Sequence, residues 1–289
     1  MNLPFLSVVI ANYNYGRFLE EAILSVVDQG MIDEVELIVC DAKSTDNSVE
    51  IIKKYDKYIS WWCSEQDGGQ SAAFNKGFLH ANGRFLTWLN ADDVMLPGTI
   101  ATLKAAAENC PEQEWWVGGC LWLDPGMRVV NCGRGRPFSE IRYREGNVNV
   151  WGPSSFFTKR LLDSVGGLDE RFHYMMDTDM WLRFAMTGAR YRPFCNYAWG
   201  LRLHPAAKMS GHNFAADGSL KIGETNFLDE KRQKAEVQKR QEQLWRSEYF
   251  KVKKATLFSR IISMNLFAVF AAKMDLRKFR GRHYLECFR

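Results

Sequence analysis

Two adjacent carboxylates, Asp92 and Asp93, break an apolar run in the stretch FLTWLNADDVMLP, Phe85 to Pro97. Phe85 to Leu89 reads as a buried strand, and the chain turns apolar again at Val94-Met95-Leu96. Neighbouring carboxylates beside a core repel each other and are costly to desolvate unless something positive neutralises them. A divalent cation does this well, because Mg²⁺ and Mn²⁺ prefer hard oxygen ligands. The plain alternative is a solvated loop that orders the turn before Pro97. Three more polar clusters follow apolar runs in the same way. Tyr13 offers a flat ring for stacking on a base. Asp41 offers an acceptor for a base or ribose donor group. Asp67-Gly68-Gly69-Gln70-Ser71 places backbone N–H groups at a helix start, where a phosphate is favoured. Taken singly, Tyr13 reads as a loop packer, Asp41 as a turn former and the double glycine as a simple turn. Their recurrence at four consecutive strand ends is far more specific.

The elements that must hold these groups follow from periodicity. Phe5 to Ala11 is a β-branched run, followed by a turn cluster at Asn12 to Gly16 and a helix with Phe18, Leu19, Ala22, Ile23, Val26 and Val27 at helical spacing. Val35 to Cys40 is a second strand, and Asn47 with Glu50 has capping-box spacing for the next helix. Ile59 to Cys63 is a third strand, followed by a helix through Ala72, Ala73, Phe74 and Phe78 that Gly83 closes. The Phe85 strand and a helix from Pro97 to Ala107 complete four strand-helix repeats. Such alternation predicts an α/β fold: a mostly parallel central sheet, helices on both faces and one ligand edge at the strands' carboxyl ends. Trp115 to Leu123 and Met127 to Asn131 read as further strands, and Lys159 to Val165 and Asp177 to Thr187 as short helices. Gly133 to Gly152 is irregular, basic and glycine-containing, a candidate mobile loop, and acceptor specificity is expected largely in Gly133 to Phe157.

At 289 residues, 46% hydrophobic and 25% charged, the chain can bury an ordinary globular core. Seven scattered cysteines without CxxC spacing argue against a zinc or disulfide framework and for a reducing, cytoplasmic compartment. Met1-Asn2-Leu3-Pro4 lacks the basic region of a signal peptide, and no stretch reaches the roughly 20 apolar residues of a spanning helix. Residues 217–289 carry 17 Lys+Arg against 9 Asp+Glu, +8, leaving 21 against 25, −4, for the first 216. Within that basic region, Glu230 to Arg246 is a polar helix. Thr256 to Lys273 is apolar and flanked by Lys251, Lys253, Lys254, Arg277, Lys278, Arg280 and Arg282. The pattern fits a helix lying in an anionic membrane interface; the alternative is a helix packed back on the body.

Read in order, the blocks SVVIANYNYGRFLEEAILSVVDQ, ELIVCDAKSTDNS, DGGQSAAFNKG, ANGRFLTWLNADDVMLPG, SSFFTKRLLDSVGGLDERF, MMDTDMWLRF and LRLHPAAKMS resemble the family 2 glycosyltransferases. The resemblance covers roughly residues 5 to 212. It implies a GT-A (Rossmann-like) catalytic domain over residues 1–213. That domain would divide into a nucleotide-sugar half, 1–110, and an acceptor half, 111–213, with a basic helical extension at 214–289. It further implies that Ala11, Tyr13 and Asp41 contact the nucleotide base, typically uridine, and that Gln70, Ser71 and Asn75 lie in the sugar-nucleotide helix. Asp92 and Asp93 would hold Mn²⁺ or Mg²⁺ against the diphosphate, and His204 matches a metal- or diphosphate-contacting histidine. Arg202 and Lys208 are further candidates to meet the diphosphate. Asp177 matches the catalytic base. Asn90 stands where many relatives begin an Asp-X-Asp triplet, and Met176 where many have Glu.

Several of these residues have structural readings that stand beside the functional ones. Asp177 begins a helix, where Asp is a good first-turn residue. Asp179 is four before Arg183, the spacing of a helix-surface pair, and is otherwise an acceptor contact. Trp181 either walls the acceptor site on the face of Asp177 or fills core, and Trp151 either stacks on a sugar or packs. The expected activity is metal-dependent sugar transfer with inversion, from a UDP-sugar to a saccharide or lipid-linked saccharide, in bacterial surface polysaccharide or glycolipid assembly. The expected location is cytoplasmic, on the inner face of the membrane. The rivals are a nucleotidyltransferase, which lacks here a glycine-rich basic loop after the first strand, and a non-catalytic nucleotide- or sugar-binding scaffold of a membrane assembly.

Overall fold

The computed structural model describes residues 3–144, 150–204, 207–208, 212–214, 220–222, 239 and 266–288. In the first half, β1 (Leu6–Asn12), α1 (Gly16–Val27), β2 (Val35–Asp41), α2 (Ser48–Lys54), β3 (Trp61–Ser64), α3 (Gln70–His80) and β4 (Phe85–Asn90) alternate as their periodicity predicts. The strands β3, β2, β1 and β4 lie side by side and all parallel. Register places Asn12 opposite Asp41, Asp41 opposite Ser64 and Ala11 opposite Asn90. Four polar strand ends therefore share one edge, where open α/β sheets bind ligands.

The second half extends the same sheet with mixed polarity. It comprises β5 (Val94–Met95), α4 (Thr99–Asn109), β6 (Trp115–Leu123), β7 (Val129–Gly133), α5 (Glu140–Arg144), β8 (Ser155–Thr158), α6 (Lys159–Ser164), α7 (Met176–Met186) and β9 (Arg192–Arg202). β8 runs antiparallel between β4 and β6, β9 is parallel to β6, and β5 pairs antiparallel with β9. That last pairing sets Met95 against Trp199 and Val94 against Gly200. Two residues further along, it carries Arg202 and the chain after it to the Asp92-Asp93 turn.

Side-chain parity along the strands builds two cores. Leu6, Val8 and Ile10 of β1 face Leu19, Ile23, Ile52 and Leu103 of α1, α2 and α4. Val9, one step out of phase, faces Phe74 and Phe78 of α3, in a core that also takes in Trp88, Leu161, Met180 and Trp181. The alternation is the period of two of a pleated strand. Gly77 lets α3 approach β1 closely: a Cβ there would stand 2.2 Å from Val9.

Where it is described, the C-terminal part packs against the body. Short strands β10 (His212–Phe214) and β11 (Leu220–Ile222) pair with each other. α8 (Leu266–Phe279) lies on β7, and Phe279 and Tyr284 join Leu121, Leu123, Val129 and Tyr197 in a third core. Asp275 accepts from Tyr197 Oη and from Arg134 Nε, and the backbone of Gly281 and Arg282 bonds to Val129. The physical reason is that β6 and β7 present an apolar face that this helix covers. The polar helix predicted at Glu230 to Arg246, Lys239 apart, and the first part of the apolar stretch, residues 256–265, lie outside the described residues. Among the described residues no helix is long and apolar enough to cross a membrane.

Candidate functional site

The first loop pair is locked by Asp41. Its Oδ1 accepts from Asn12 Nδ2 (2.7 Å) and Ser44 Oγ (2.5 Å), and its Oδ2 accepts from Ser44 N (3.0 Å) and Ser64 Oγ (2.6 Å). A carboxylate has about four acceptor positions, so its own chain saturates Asp41, which is 1% exposed. Asn14, in the left-handed region at φ 55°, accepts from Thr45 N and donates its own N–H to Ser44 Oγ, tying the β1 loop to the β2 loop. Between them Tyr13 stands 62% exposed, its ring open for stacking, and Ala11 is half-buried at the end of β1. The geometry thus separates residues that sequence grouped together: Tyr13 and Ala11 line the edge, while Asp41 organises it.

The acidic turn after β4 divides its two carboxylates. Asp93 is 1% exposed, and its oxygens accept from Arg202 N (2.9 Å) and Asn90 Nδ2 (2.7 Å). Burial, and then the charge of Asp92, push its pKa well above the ordinary value. Each Asp93 oxygen accepts one hydrogen bond from the chain, so this carboxyl also fastens the turn to β9. Asp92 Oδ2 instead faces His204 Nε2 at 3.1 Å. The His204 ring packs on Phe18 (4.5 Å) and edge-on to Tyr15 (5.8 Å), and its Nδ1 is buried without a hydrogen-bond partner among the described residues. Arg202 holds this arrangement from behind. Its Nε donates to the Asp92 carbonyl (2.9 Å), its Nη2 pairs with Glu21 and its guanidinium covers Phe18. Sequence reasoning missed Glu21, whose only signal was a carboxylate on the helix after the first loop.

Among the described residues no group of three or more His, Cys, Asp or Glu side chains is assembled to hold a metal ion. Asp92 and His204 nevertheless fit one end of such a site. Their 3.1 Å separation matches neighbouring ligands on one octahedral ion with bonds of about 2.1 Å, and Mg²⁺ typically takes few protein ligands and completes its shell with phosphate and water.

A chain of side chains leads from this turn across the edge. Asn90 Oδ1 accepts from Gln70 Nε2 (2.8 Å), and Gln70 Oε1 accepts from Lys208 Nζ (2.8 Å). Lys208 lies 5.3 Å from the Tyr174 ring centroid, and burial lowers its pKa to about 8 against an upward pull from Asp177. Asp177 sits in the first turn of α7, entered through Met175 at a left-handed φ of 59°. Backbone held in that region by a non-glycine residue is a local strain of the kind found at active sites. Asp177 Oδ1 accepts from Thr178 N (2.7 Å), while Oδ2 accepts no hydrogen bond among the described residues. A Cβ on Gly152 would stand 3.3 Å from Oδ2, so glycine keeps this oxygen uncrowded. Burial raises the Asp177 pKa above the ordinary carboxylate value. Asp177 is partly exposed, and Lys208 is a cationic neighbour.

Other expected site residues make contacts within the chain. Ser71 Oγ, buried, bonds to Phe172 O and Met176 Sδ, pinning α3 to the entry of α7. Asn75 brackets Leu168 with both amide atoms, donating to its carbonyl (2.9 Å) and accepting from its N–H (2.9 Å). Asp179 pairs with Arg183 at 2.8 Å as its spacing predicts, but the pair is buried rather than on the surface, and Arg183 also caps the Val165 and Gly167 carbonyls. Trp181 is fully buried, stacked on Trp88 (5.3 Å, 6°) and Trp115 (5.6 Å, 29°), so it fills core and does not wall a site. Trp151 is half-buried, edge-on to Trp122 at 5.0 Å.

A sheet of this topology, with an acidic turn at its centre, defines the GT-A class of glycosyltransferases. The crystal structure of S. aureus TarS 1-349 in complex with UDP-GlcNAc is similar in fold, with a TM-score of 0.54 at 20% identity, covering 71% of this chain and 60% of that one. The mannosyltransferase PcManGT from Pyrobaculum calidifontis in complex with GDP-Man and Mn²⁺ gives 0.53 at 15% identity, over 99% of this chain and 86% of that one. In sequence, the family profile for Glycosyl transferase family 2 matches residues 7–113. An uncharacterized glycosyltransferase of Mycobacterium tuberculosis (strain CDC 1551 / Oshkosh) is 32% identical over 188 residues, 63% of this chain and 70% of that protein. The GalNAc(5)-diNAcBac-PP-undecaprenol beta-1,3-glucosyltransferase of Campylobacter jejuni is 34% identical over 109 residues, 36% of this chain and 35% of that protein. The chain belongs to glycosyl transferase family 2.

Proposed function

We propose that this chain transfers a sugar, with inversion, from a nucleoside-diphosphate sugar, a UDP-sugar, to an acceptor hydroxyl. The observation that carries the reading is the joining of two unlike groups along one sheet edge. The Asp92–His204 pair lies at one end, and the Asp177 carboxylate, one oxygen of which accepts no hydrogen bond among the described residues, lies at the other. Tyr13 stacks on the base, and Ala11 borders it. Asp92 and His204 would hold Mn²⁺ or Mg²⁺, which when bound neutralises charge building on the departing diphosphate. Asp177 removes the proton of the acceptor hydroxyl as that oxygen attacks the anomeric carbon. A base on the face opposite the leaving group gives one displacement and hence inversion. Its raised pKa makes Asp177 a better proton acceptor than an ordinary carboxylate.

The partial similarity to the Campylobacter glucosyltransferase, whose name specifies an undecaprenol-linked acceptor, supports a lipid-linked saccharide here, in surface polysaccharide or glycolipid assembly. Trp151 and the 133–152 segment would meet that acceptor. Lys273, Arg277, Lys278, Arg280 and Arg282 are exposed around Met274 and Leu285, a surface suited to the anionic inner face of a membrane.

The test is thermal unfolding with UDP, GDP, TDP and CDP, each with Mn²⁺ and with EDTA. A ligand at 100 times its dissociation constant stabilises by about 2.7 kcal/mol. The expected result is a shift with UDP that EDTA abolishes, followed by transfer from a UDP-sugar. No shift with any nucleotide at millimolar ligand and metal would overturn the reading in favour of a non-catalytic scaffold.

A further inference from the structure

A second group of cations lies at the end of the sheet opposite the donor edge. Arg136 precedes α5, Arg142 is on α5, and Tyr191 stands at the entry to β9. Aromatic contacts gather these segments. Phe138 packs against Tyr143 (5.8 Å) and Tyr191 (5.2 Å), and the Arg190 guanidinium covers Phe138 at 4.5 Å. Glu140, the carboxylate of α5, is already engaged, because it accepts from Arg190 Nε at 2.7 Å.

The remaining donors are unspent. Arg142 Nε is buried and has no hydrogen-bond partner among the described residues. Among those residues neither the Arg136 nor the Arg142 guanidinium forms an ion pair or hydrogen bond, and neither does the hydroxyl of Tyr191, which is 5% exposed. The three groups feel one another. Burial, and then the charge of Arg142, hold Arg136 below the ordinary guanidinium value. Burial pushes the Tyr191 hydroxyl up to about 12, against a downward pull from Arg142 and then Arg136. Like charges crowded into a partly desolvated place are unfavourable unless an anion joins them.

The chemistry of the donors selects the anion. Each guanidinium presents a planar fork that fits a carboxylate or a phosphate. Two guanidiniums are neutralised by a dianion. A phosphate monoester carries about −1.5 to −2 at neutral pH and has three acceptor oxygens to share between two forks and a hydroxyl. A single carboxylate would leave one cation uncompensated. The place excludes the donor's own phosphates. β9 runs 11 residues from Arg192 to Arg202, roughly 30 Å at the rise of a strand, and its far end is the one bonded to the acidic turn.

We propose that Arg136, Arg142 and the Tyr191 hydroxyl form a second anion site, which takes a phosphate group outside the donor pocket. The phosphate is free in solution or esterified to a lipid, and both present the same terminal oxygens. The site stands independently of the donor reading.

The full-length chain, as wild type, Arg136→Gln, Arg142→Gln, Tyr191→Phe and Asp92→Ala, is titrated calorimetrically with inorganic phosphate and with acetate, in EDTA at constant ionic strength and without nucleotide. Wild type and Asp92→Ala should bind phosphate alike, and acetate at least tenfold more weakly. Each glutamine variant should lose tenfold or more for phosphate, as loss of a charge-assisted contact does, and Tyr191→Phe should lose less. Melting temperatures give a second readout. Without phosphate Arg136→Gln should melt no lower than wild type, since a crowded like charge is gone, and phosphate should raise the wild type more than either glutamine variant. Flotation with phosphatidic acid vesicles, against phosphatidylcholine alone, separates the sources. It is scored as the difference between wild type and Arg142→Gln, because the basic face of α8 is present in both. A difference assigns a lipid phosphate, and phosphate binding without one assigns free phosphate. Phosphate affinity unchanged in both glutamine variants, affinity lost in Asp92→Ala, or acetate bound as tightly as phosphate would overturn the site. So would a wild type that binds neither phosphate nor phosphatidic acid in these assays, and the donor reading would then stand untouched.

Discussion

Asp92 and His204 lie 112 residues apart in sequence, yet their Oδ2 and Nε2 atoms stand 3.1 Å apart. The contact depends on β9 running antiparallel to β5, which returns the chain to the acidic turn, and on Arg202 bonding to the Asp92 carbonyl. Asp92→Ala and His204→Ala should each lower metal-supported nucleotide binding by tenfold or more, and binding in EDTA should change little. Asp93→Asn should instead cost stability, because the amide offers one acceptor oxygen where Asp93 offers two, and its NH₂ would face either the Arg202 N–H or the Asn90 amide donor. Calorimetric titration with and without Mn²⁺ separates the two. A metal-binding loss in Asp93→Asn equal to that of Asp92→Ala would reverse the division of roles.

Asp177→Asn should abolish transfer, by a factor of about 10² or more, since an amide cannot take the acceptor proton. It should also raise the melting temperature slightly. Burial makes the ionised carboxylate unfavourable in the fold, and a neutral isostere removes that cost. Turnover at the parental rate would eliminate Asp177 as the base.

The pH dependence has a stated sign. Asp177 must be ionised to act, and its raised pKa moves the acid limb of kcat/KM above the range of an ordinary carboxylate. Lys208 is an expected diphosphate contact that must be protonated to serve as one, and its pKa of about 8 places an alkaline limb there in the free protein. Asp177 is the charged group facing Lys208; Gln70 and the Tyr174 ring are its neutral neighbours. Folding stability follows the same two shifts. The folded state keeps the Asp177 proton longer than the unfolded chain, so that contribution falls as pH rises from the ordinary carboxylate value. It releases the Lys208 proton earlier, so stability rises between about pH 8 and the ordinary lysine value. An alkaline limb unmoved in Lys208→Met would assign it to another group.

Asp41→Ala should destabilise the fold by about 2–4 kcal/mol, since donors from three loop segments lose one buried anionic acceptor. Denaturant unfolding measures it. A change below about 0.5 kcal/mol combined with lost nucleotide affinity would return Asp41 to base recognition. Trp181→Phe should likewise act on stability, through the lost stack with Trp88 and Trp115, and leave the acceptor KM unchanged.

Replacing Lys273, Arg277 and Lys278 with Glu should abolish co-sedimentation with vesicles rich in phosphatidylglycerol and leave transfer to a soluble acceptor intact. These side chains are exposed on α8, whose other face holds the body. Undiminished binding would remove the membrane role from this surface.

The alternation of apolar runs in the first 110 residues determined the parallel half of the sheet, its helices and the edge where the polar strand ends meet, because periods of 2 and 3.6 are local properties. It also marked Asp92 as a candidate, while Asp177 and His204 were marked by the resemblance to the family 2 glycosyltransferases. What each polar side chain does was decided by tertiary contacts. Asp41 and Asp93 carry the same residue type as Asp92, but register and burial surround them with the chain's own donors. Trp181 shares a helix with Asp177, and only the packing of α7 on Trp88 and Trp115 turns it inward. The stretch flanked by basic residues was legible as amphipathic, but which surface its apolar side covers depends on the exposed face of β6 and β7. Gly152 beside Asp177, and the hydrogen-bond chain from Lys208 to Asp93, join segments up to 138 residues apart. No local pattern encodes such pairs; the folding of the sheet's two halves against each other creates them.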